Sequence, residues 1–450
     1  MQGKKKIFTI VFFAFAGAHI LTFTHGDSTR IMEWAKLFLD SLFSGNIRNY
    51  AEVLLDKDIP SNYSIFIHII NSIWVLPVYG IDTFIDGDIP LYVYSMWHRV
   101  LSVLLTFITM GYIEKIGIHF GVSREKMEVA TFFYGISTPL IVGTYAMGQI
   151  DAYPTLFMVM GLYYLLEEKT TESILSFSVI LFLKPFAFMY IAPMLLLYFA
   201  DKWKKAIPYG VLVGIVWIVK KLVTKIFIGY GDMVYVEEVE WDHLSFFFTS
   251  EINVLPLFVL TVGVVLCICF VKGMKGKVKE WDYIYYPYVV FLAFVAFNFW
   301  NPQWFLYGMP FITIILCKMC NEAEAMAFGA GINGAYLLFN YCAFNGMVES
   351  NMIAGGLIAK TSGIKWKSAS LLGLIANKMP TISGYITSIS LGILVACMIY
   401  VCYATRKETL EAEVVDASLF ENKKKAFLVL FVMISIFMII YSYFELFRWN

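Results

Sequence analysis

The first apolar run, Ile7 to Thr24, reads IFTIVFFAFAGAHILTFT and leads directly into the polar stretch HGDSTR, residues 25 to 30. A run of about 18 or more apolar residues is long enough to cross a hydrocarbon core of about 30 Å. Three lysines precede the run, and its small residues lie inside it rather than after it. We therefore expect an uncleaved first membrane helix with its N-terminus in the cytoplasm.

Similar apolar runs recur along the whole chain. Hydrophobic residues make up 59% of the sequence and charged residues 15%, against about 25% charged residues in a soluble domain. This composition predicts an all-α polytopic membrane protein with a single integral membrane domain over residues 1–450. The formal net charge is zero, so charge indicates no nucleic-acid partner; membrane lipids are the expected surroundings.

The distribution of Lys and Arg decides the predicted topology. If segment 62–81 does not span, most short basic loops face the cytoplasm, as the positive-inside rule requires. If it does span, most of them face outward. We therefore expect 62–81 to be re-entrant or interfacial, and we expect about 13 spans, near residues 7–24, 91–113, 127–147, 152–167, 173–184, 186–200, 206–224, 252–271, 283–300, 303–318, 324–344, 381–404 and 426–446.

The first outer loop, residues 25 to about 90, contains a helical pattern. Trp34, Leu37 and Phe38 recur at helical spacing beside Glu33 and Lys36. That pattern predicts an amphipathic helix lying on the membrane surface.

On this topology, four groups of polar residues reach the same, non-cytoplasmic face. Ionisable side chains at membrane depth are costly, so they tend to mark a functional site. The groups are Asp27 with Arg30; His98 with Arg99; Gly148-Gln149-Ile150-Asp151 with Lys184; and the segment Asn298 to Trp304, which contains Asn301 and Gln303.

Each group also has a purely structural explanation. Asp27 can be an ordinary acidic loop residue, and Arg99 and Lys184 can extend to lipid headgroups. Asp151 can cap the helix that begins near Tyr153-Pro154. His68 and His243 are better explained as interfacial residues than as catalytic ones.

Metal and cofactor motifs are weak. Two pairs of acids have DxD spacing, Asp56-Lys-Asp58 and Asp86-Gly-Asp88, which is frequent by chance in acidic loops. Cys317-Lys-Met-Cys320 lacks the second Cys or His pair that a zinc site needs. We predict no metal site and no cofactor.

The order of these polar groups resembles the GT-C superfamily of polyprenol-dependent glycosyltransferases, in its bacterial mannosyltransferase-like branch. The resemblance rests on Asp27 after the first helix, the GQxD turn at 148–151, Lys184-Pro185 with Pro193, and Asn301-Pro302-Gln303 with Pro310. The resemblance runs from about residue 5 to residue 320. We therefore take 1–320 as the family-like core and expect 321–450 to form variable C-terminal helices. The fold it implies is a GT-C-like bundle with amphipathic helices in the first extracytoplasmic loop.

The resemblance also implies a function. The protein would transfer a sugar, with inversion and without metal, from a polyprenyl-phosphate-linked donor to a lipid-linked, glycan or protein acceptor outside the cytoplasm. Asp27 would be the base. Substrate contacts would come from Arg30, His98, Arg99, Gln149, Asp151, Lys184, Asn301 and Gln303. One stretch departs from the pattern, because Asn62-Tyr63-Ser64 stands where the family commonly has Tyr-Pro-Pro.

Two alternatives remain open. One is a secondary transporter or flippase for a lipid-linked glycan, although the paired halves that transporters often show are not visible here. The other is an enzyme like the O-antigen ligases and polymerases. Such an enzyme is expected to concentrate Arg and His in one large outer loop, whereas here the outer polar groups are spread over several turns.

Overall fold

A computed structural model describes residues 2–57, 63–85, 89–228, 257–318, 322–344, 349–362, 371–408 and 423–449. Most of these residues are helical, and no strand occurs among them. The helices of the first half are α1 (Gln2–Thr22), α2 (Gly26–Phe43), α3 (Tyr50–Asp56), α4 (Ile65–Phe84), α5 (Leu91–His119), α6 (Arg124–Gly135), α7 (Thr138–Leu140), α8 (Ala152–Leu166), α9 (Thr170–Leu183), α10 (Phe188–Phe199) and α11 (Trp203–Ile228).

The second half of the chain continues in the same way. Its helices are α12 (Leu257–Met274), α13 (Asp282–Phe297), α14 (Met309–Lys318), α15 (Glu322–Ala343), α16 (Glu349–Gly355), α17 (Leu357–Thr361), α18 (Leu371–Lys378), α19 (Pro380–Glu408) and α20 (Lys424–Trp449). Four 3-10 turns and one π-helical segment complete the described part, at Ile47–Asn49, Ile141–Ala146, Pro185–Ala187, Ala200–Lys202 and Pro302–Tyr307.

Seven helices in the described part of the chain are long and apolar enough to cross a membrane, or up to eight if the bent pair α6 and Thr138–Ala146 is one span. Four further apolar helices are shorter, at 10–17 residues. These findings support a polytopic helical membrane protein, while the count of about 13 spans stays a prediction.

Segment 62–81 differs from expectation. Its residues 65–81 belong to α4, a helix of 20 residues that continues through Pro77 and has the length and composition of a span. A re-entrant segment turns back inside the membrane, and α4 shows no break at which to do so, so the structure gives the re-entrant interpretation no support. The interfacial interpretation stays a prediction. Because α4 has the length of a span, the orientation of the later helices stays a prediction.

The amphipathic helix predicted in the first outer loop is present as α2. It buries Trp34, Leu37 and Phe38, and Lys36 pairs with the buried carboxylate of Asp82 on α4, Nζ to Oδ2 at 2.7 Å. Asp27, expected in a loop, lies instead in the first turn of this helix.

Contacts divide the chain into two compact units. Unit 1 comprises Met1–Gly26, Ser102–Gln149 and Phe299–Asn450; unit 2 comprises Asp27–Leu101 and Ile150–Asn298. A single domain over 1–450 remains a prediction.

Unit 1 is organised around α15, which packs against both α19 and α20. A buried cluster of Ile136, Ala330 and Phe431 joins α15 and α20 to the end of α6. After α1, the chain is fixed by a hydrogen bond from the Thr24 amide to the Met352 carbonyl at 2.9 Å. A Cβ on Gly355 would stand 1.8 Å from the carbonyl oxygen of Thr24, so this contact requires glycine.

Unit 2 joins α8 to α9, and α10 to α12 and α13. Helices α4 and α5 are held by two indoles: Trp74 Nε1 donates to the Trp97 carbonyl at 2.8 Å, and Trp97 Nε1 donates to the Trp74 carbonyl at 2.9 Å. Their rings stack at a centroid separation of 5.2 Å. This pair fixes the turn of α5 that carries His98 and Arg99.

Candidate functional site

The strongest polar contact at the candidate site is a buried ion pair in unit 2. Lys184 Nζ lies 2.8 Å from Asp151 Oδ1, with side-chain exposures of 16% and 0%. The two residues stand 33 positions apart, so the fold of α8 and α9 is what joins them. A fully buried carboxylate requires a partner of this kind.

The backbone explains why these two side chains meet. Lys184 precedes Pro185, which disfavours helical geometry in the residue before it; its backbone is extended, with φ −152°, and α9 ends at Leu183. Asp151 is the residue before α8, yet its side chain makes no capping bond to that helix. The capping explanation is therefore wrong, because the carboxylate accepts from Lys184 instead.

Tyr63 lies beside this pair. Lys184 Nζ stands 5.9 Å from the centroid of the Tyr63 ring, and Trp34 meets the same ring edge-on at 5.6 Å. Burial raises the pKa of the Tyr63 hydroxyl well above its usual value, and the negative charges of Asp151 and Asp27 raise it further. Tyr63 therefore stays protonated at physiological pH, and both carboxylates lie within electrostatic range of it.

Trp34 is supported from behind by His68 and Tyr50. The indole stacks on the His68 ring at 5.3 Å. The Tyr50 hydroxyl contacts His68 Nδ1 at 2.7 Å and donates to the Trp34 carbonyl at 2.9 Å. His68, expected at the membrane interface, is 3% exposed. The histidine is thus a packing element that fixes the aromatic face beside Lys184.

This support predicts a stability change. Replacing Tyr50 by Phe removes the hydroxyl that contacts His68, and an unsatisfied buried polar group costs about 1–3 kcal/mol. We expect Tyr50→Phe to lower the free energy of unfolding by about that amount. Thermal unfolding in detergent, followed by dye labelling of the buried Cys269 and Cys317, measures it. Tyr92→Phe, at a partly exposed tyrosine of α5, is the matched control, and equal melting temperatures would contradict the prediction.

Two serines, Ser28 and Ser95, connect the helix turn that carries Asp27 to the helix that carries Arg99. Asp27 is exposed in the first turn of α2. Its neighbour Ser28 is buried, with its Oγ 2.5 Å from the Ser95 Oγ on α5. Arg99 Nε donates to the Ser95 carbonyl at 3.2 Å, and the Arg99 side chain is fully buried. The first turn of α2 therefore packs against the helix that carries the buried guanidinium.

The remaining predicted residues of unit 2 are His98 and Arg30. His98 is fully buried, with Nδ1 3.5 Å from the Tyr153 hydroxyl, which donates to Asn71 Oδ1 at 2.8 Å. Arg30 is exposed on α2, one turn after Asp27. The structure thus places His98 in an internal network and Arg30 at the surface.

Gln149, Asn301 and Gln303 belong to unit 1. The backbone N–H of Gln149 donates to the Gly143 carbonyl at 2.9 Å, and a Cβ on Gly143 would stand 3.1 Å from Gln303 Cα. Both glutamines therefore contact the π-helical segment at Gly143. Asn301 begins the 3-10 turn beside them, and its carbonyl accepts from the Trp304 amide at 2.9 Å.

No group of three or more His, Cys, Asp or Glu that could hold a metal ion occurs in the described part of the chain. The DxD pairs fall partly or wholly outside the described residues, at Asp58, Asp86 and Asp88. His243 and Cys320 also lie outside them.

The sequence did not predict that Tyr63 lies beside the Lys184–Asp151 ion pair. The only signal was its position in Asn62-Tyr63-Ser64, the stretch that stands where the resembled family commonly has Tyr-Pro-Pro. Nothing in the sequence shows that its ring contacts Lys184, because that contact depends on how the loop before α4 folds against the end of α9.

The comparisons with known proteins give no independent identification. No family model, no curated protein and no solved structure matches this sequence.

Proposed function

We propose that this protein is an inverting glycosyltransferase of the cell membrane, with its active site in unit 2 on the extracytoplasmic face. It would move a sugar from a polyprenyl-phosphate donor to a lipid-linked, glycan or protein acceptor. The observation that carries the proposal is the ion pair of Lys184 and Asp151 beside Tyr63, with Asp27 within electrostatic range of the same tyrosine.

The donor end of such a site needs positive charge for the phosphate. Lys184 is the partly exposed member of the ion pair, so a phosphate can approach its ammonium from outside the pair. Arg99 adds a second cation in the same unit, buried one turn beyond Ser95. Cations held in place near a leaving phosphate stabilise the charge that develops as the bond to the sugar breaks.

The acceptor end needs a base. Asp27 is exposed, so an acceptor hydroxyl can approach its carboxylate. In the proposed step, Asp27 takes the hydroxyl proton while the acceptor oxygen bonds to the anomeric carbon. The bond from that carbon to the phosphate oxygen breaks, and the electron pair leaves with the polyprenyl phosphate. Attack opposite the leaving group inverts the anomeric configuration, by analogy with inverting glycosidases.

The protonated Tyr63 and the indole of Trp34 supply the remaining features of a sugar site. The Tyr63 hydroxyl is protonated throughout the physiological pH range, because the pKa of tyrosine is about 10 and burial raises it further here. Trp34, fixed from behind by His68, stands edge-on to the Tyr63 ring. A rigid aromatic pair beside a cation suits a sugar phosphate, whose ring has apolar faces and whose phosphate is anionic.

The test is transfer by the purified protein in liposomes. Radiolabelled polyprenyl-phosphate hexoses are supplied with a glycolipid extract as acceptor, and the product's anomeric configuration is determined. We expect a labelled product of configuration opposite to that of the donor. A product with retained configuration would contradict the mechanism. Movement of intact donor across the bilayer without cleavage would favour the transporter alternative, and no turnover with any donor would refute the proposal.

A further inference from the structure

Unit 1 contains a cavity of about 370 Å³ that none of the predicted site residues lines. Its walls come from α6, α14, α15 and α20, and all the residues that line it belong to this unit. Sites for small molecules commonly have volumes of about 300–1,000 Å³, so the cavity is large enough for a ligand.

The cavity lies against a break in a helix. Arg124–Gly135 and Thr138–Ala146 together have the length and composition of one span, bent by 40°. Ser137 lies in the break with an extended backbone, at ψ 149°, and it lines the cavity. In a membrane, backbone that leaves the helix is tolerated only where protein buries it or where it lines a cavity. Broken helices also form the substrate sites of many transporters, so the break is a feature that membrane binding sites share.

A polar side chain at the break has no hydrogen-bond partner. Ser137 is 1% exposed, and its Oγ has no partner among the described residues. The nearby wall residue Asn333 is already paired, because it accepts from the Thr138 amide at 2.7 Å and donates to the Gly329 carbonyl at 2.8 Å. A buried hydroxyl without a partner costs free energy, which a polar atom of a ligand would recover.

Most of the remaining wall is apolar. Each of the four helices contributes apolar side chains, which include Phe133, Ile312, Leu316, Met326 and Phe431. Such walls favour an apolar ligand by the ordinary hydrophobic effect. A charged group is costly to bury among them without a partner, so the group that meets Ser137 should be neutral.

The charged side chains that line the cavity lie at the starts of α6 and α15. They are Glu125, Lys126 and Glu322. Both acids are exposed, and Glu322 accepts a hydrogen bond from Lys424. Because both signs of charge are present and water reaches the acids, this end of the cavity selects neither a cation nor an anion.

We propose that this cavity binds a neutral, mostly apolar molecule that carries a hydroxyl group, and that this hydroxyl pairs with Ser137. A hydroxyl is both a donor and an acceptor, so the hydrogen bond between the ligand and Ser137 can form in either direction. The apolar body of the ligand fills the space between the four helices.

The probe is tritiated 2-naphthalenemethanol, a neutral alcohol, with the full-length protein in lipid nanodiscs. Its matched competitor, 2-ethylnaphthalene, has nearly the same size but lacks the hydroxyl. After the partition of each compound into empty nanodiscs is subtracted, we expect saturable binding of the alcohol and about five-fold weaker binding of 2-ethylnaphthalene. Five-fold corresponds to about 1 kcal/mol, which is the net contribution of one hydrogen bond.

A serine variant tests the assigned partner. Ser137→Ala should weaken binding of the alcohol about five-fold and leave that of 2-ethylnaphthalene unchanged, because only the alcohol uses the serine hydroxyl. Ser388→Ala, at an exposed serine of α19, is the matched control and should bind both compounds like the parent protein.

Charged analogues test the neutrality of the ligand. Both 2-naphthoate and 2-naphthylmethylammonium should compete less well than the alcohol. Their charge either enters the apolar part of the cavity without a partner or stays at the exposed end and leaves Ser137 unpaired. Tighter binding of either ion than of the alcohol would overturn the assignment of a neutral ligand.

A volume control separates the cavity from partitioning into lipid. A Cβ on Gly329 would stand 3.7 Å from the Leu316 side chain, ordinary van der Waals distance. Gly329→Leu should therefore fill the cavity, keep the melting temperature of the parent and abolish binding of both naphthalenes. Gly392→Leu, on an exposed position of α19 with open space around it, should bind like the parent protein.

Three further results would overturn the proposal. The first is binding no greater than that of empty nanodiscs. The second is equal affinity for the alcohol and 2-ethylnaphthalene in the parent protein, which would mean that water alone pairs with Ser137. The third is unchanged binding in a folded Gly329→Leu variant; if that variant does not fold, the comparison with Ser137→Ala still decides. Because the readout is binding, none of these results depends on whether the protein transfers sugars.

Discussion

Asp27→Asn in the reconstituted protein is expected to lower kcat for sugar transfer by about 100- to 10,000-fold, the contribution typical of a general base. Asparagine keeps the size of the side chain but cannot accept the acceptor's proton. Because Asp27 is exposed on the first turn of α2, its replacement removes no buried charge. We expect KM for the donor and the melting temperature to stay close to those of the parent.

Asp40→Asn is the matched control. Asp40 is also exposed on α2, where its Oδ1 accepts from the Tyr79 hydroxyl at 2.8 Å. It shares the helix and the charge of Asp27 but lies more than three turns away. A comparable loss of kcat in both variants would show that the effect comes from α2 or from net charge, and full activity in Asp27→Asn would exclude Asp27 as the base.

Lys184→Met is expected to lower the free energy of unfolding by about 3–5 kcal/mol, because removing one partner of a buried pair leaves the other charge uncompensated. The orphaned group here is Asp151, whose side chain is fully buried. Asp151→Asn alone should cost less, since Lys184 is 16% exposed and can reach water. The double variant Lys184→Met/Asp151→Asn should recover most of the stability, because it buries no unpaired charge.

Activity should follow a different order from stability in this set of variants. Every variant lacking Lys184, the double variant included, should bind the phosphate donor more weakly and show a raised KM. Recovery of stability without recovery of donor binding would separate a role in the site from a role in folding alone. Recovery of both would leave the pair purely structural.

A second ion pair in unit 2 supplies the comparison for stability. Lys272 Nζ lies 2.5 Å from Asp282 Oδ1, with side-chain exposures of 26% and 9%. Asp282 also accepts the Lys279 amide at 2.6 Å, so losing Lys272 still leaves it a partner. Lys272→Met should therefore cost less than Lys184→Met. Equal stability of the two single variants would contradict this dependence on burial.

Several features of this protein follow from the sequence alone. Long apolar runs make helices, because a chain in lipid must satisfy its backbone hydrogen bonds internally. Most predicted spans coincide in position with described helices, and the spacing of Trp34, Leu37 and Phe38 correctly predicted α2. These are local properties, set by hydrophobicity and period within one segment.

Segment 62–81 shows the limit of charge patterns. The charge distribution favoured a re-entrant or interfacial segment; α4 is one unbroken helix, which does not support a re-entrant turn and leaves the interfacial position a prediction. Charge bias reports only on orientation, and the continuity of a helix through Pro77 depends on local backbone geometry and packing that charge does not address.

The stretch after the first apolar run, HGDSTR, placed the carboxylate of Asp27 at a helix boundary. The sequence alone does not show which side chains lie near that carboxylate. The tertiary structure alone paired Lys184 with Asp151, set Tyr63 against them, and divided the predicted residues between two units. These relations join positions far apart in the chain, and no period or composition encodes them. They arise because a buried charge requires its partner, and packing determines which partner is within reach.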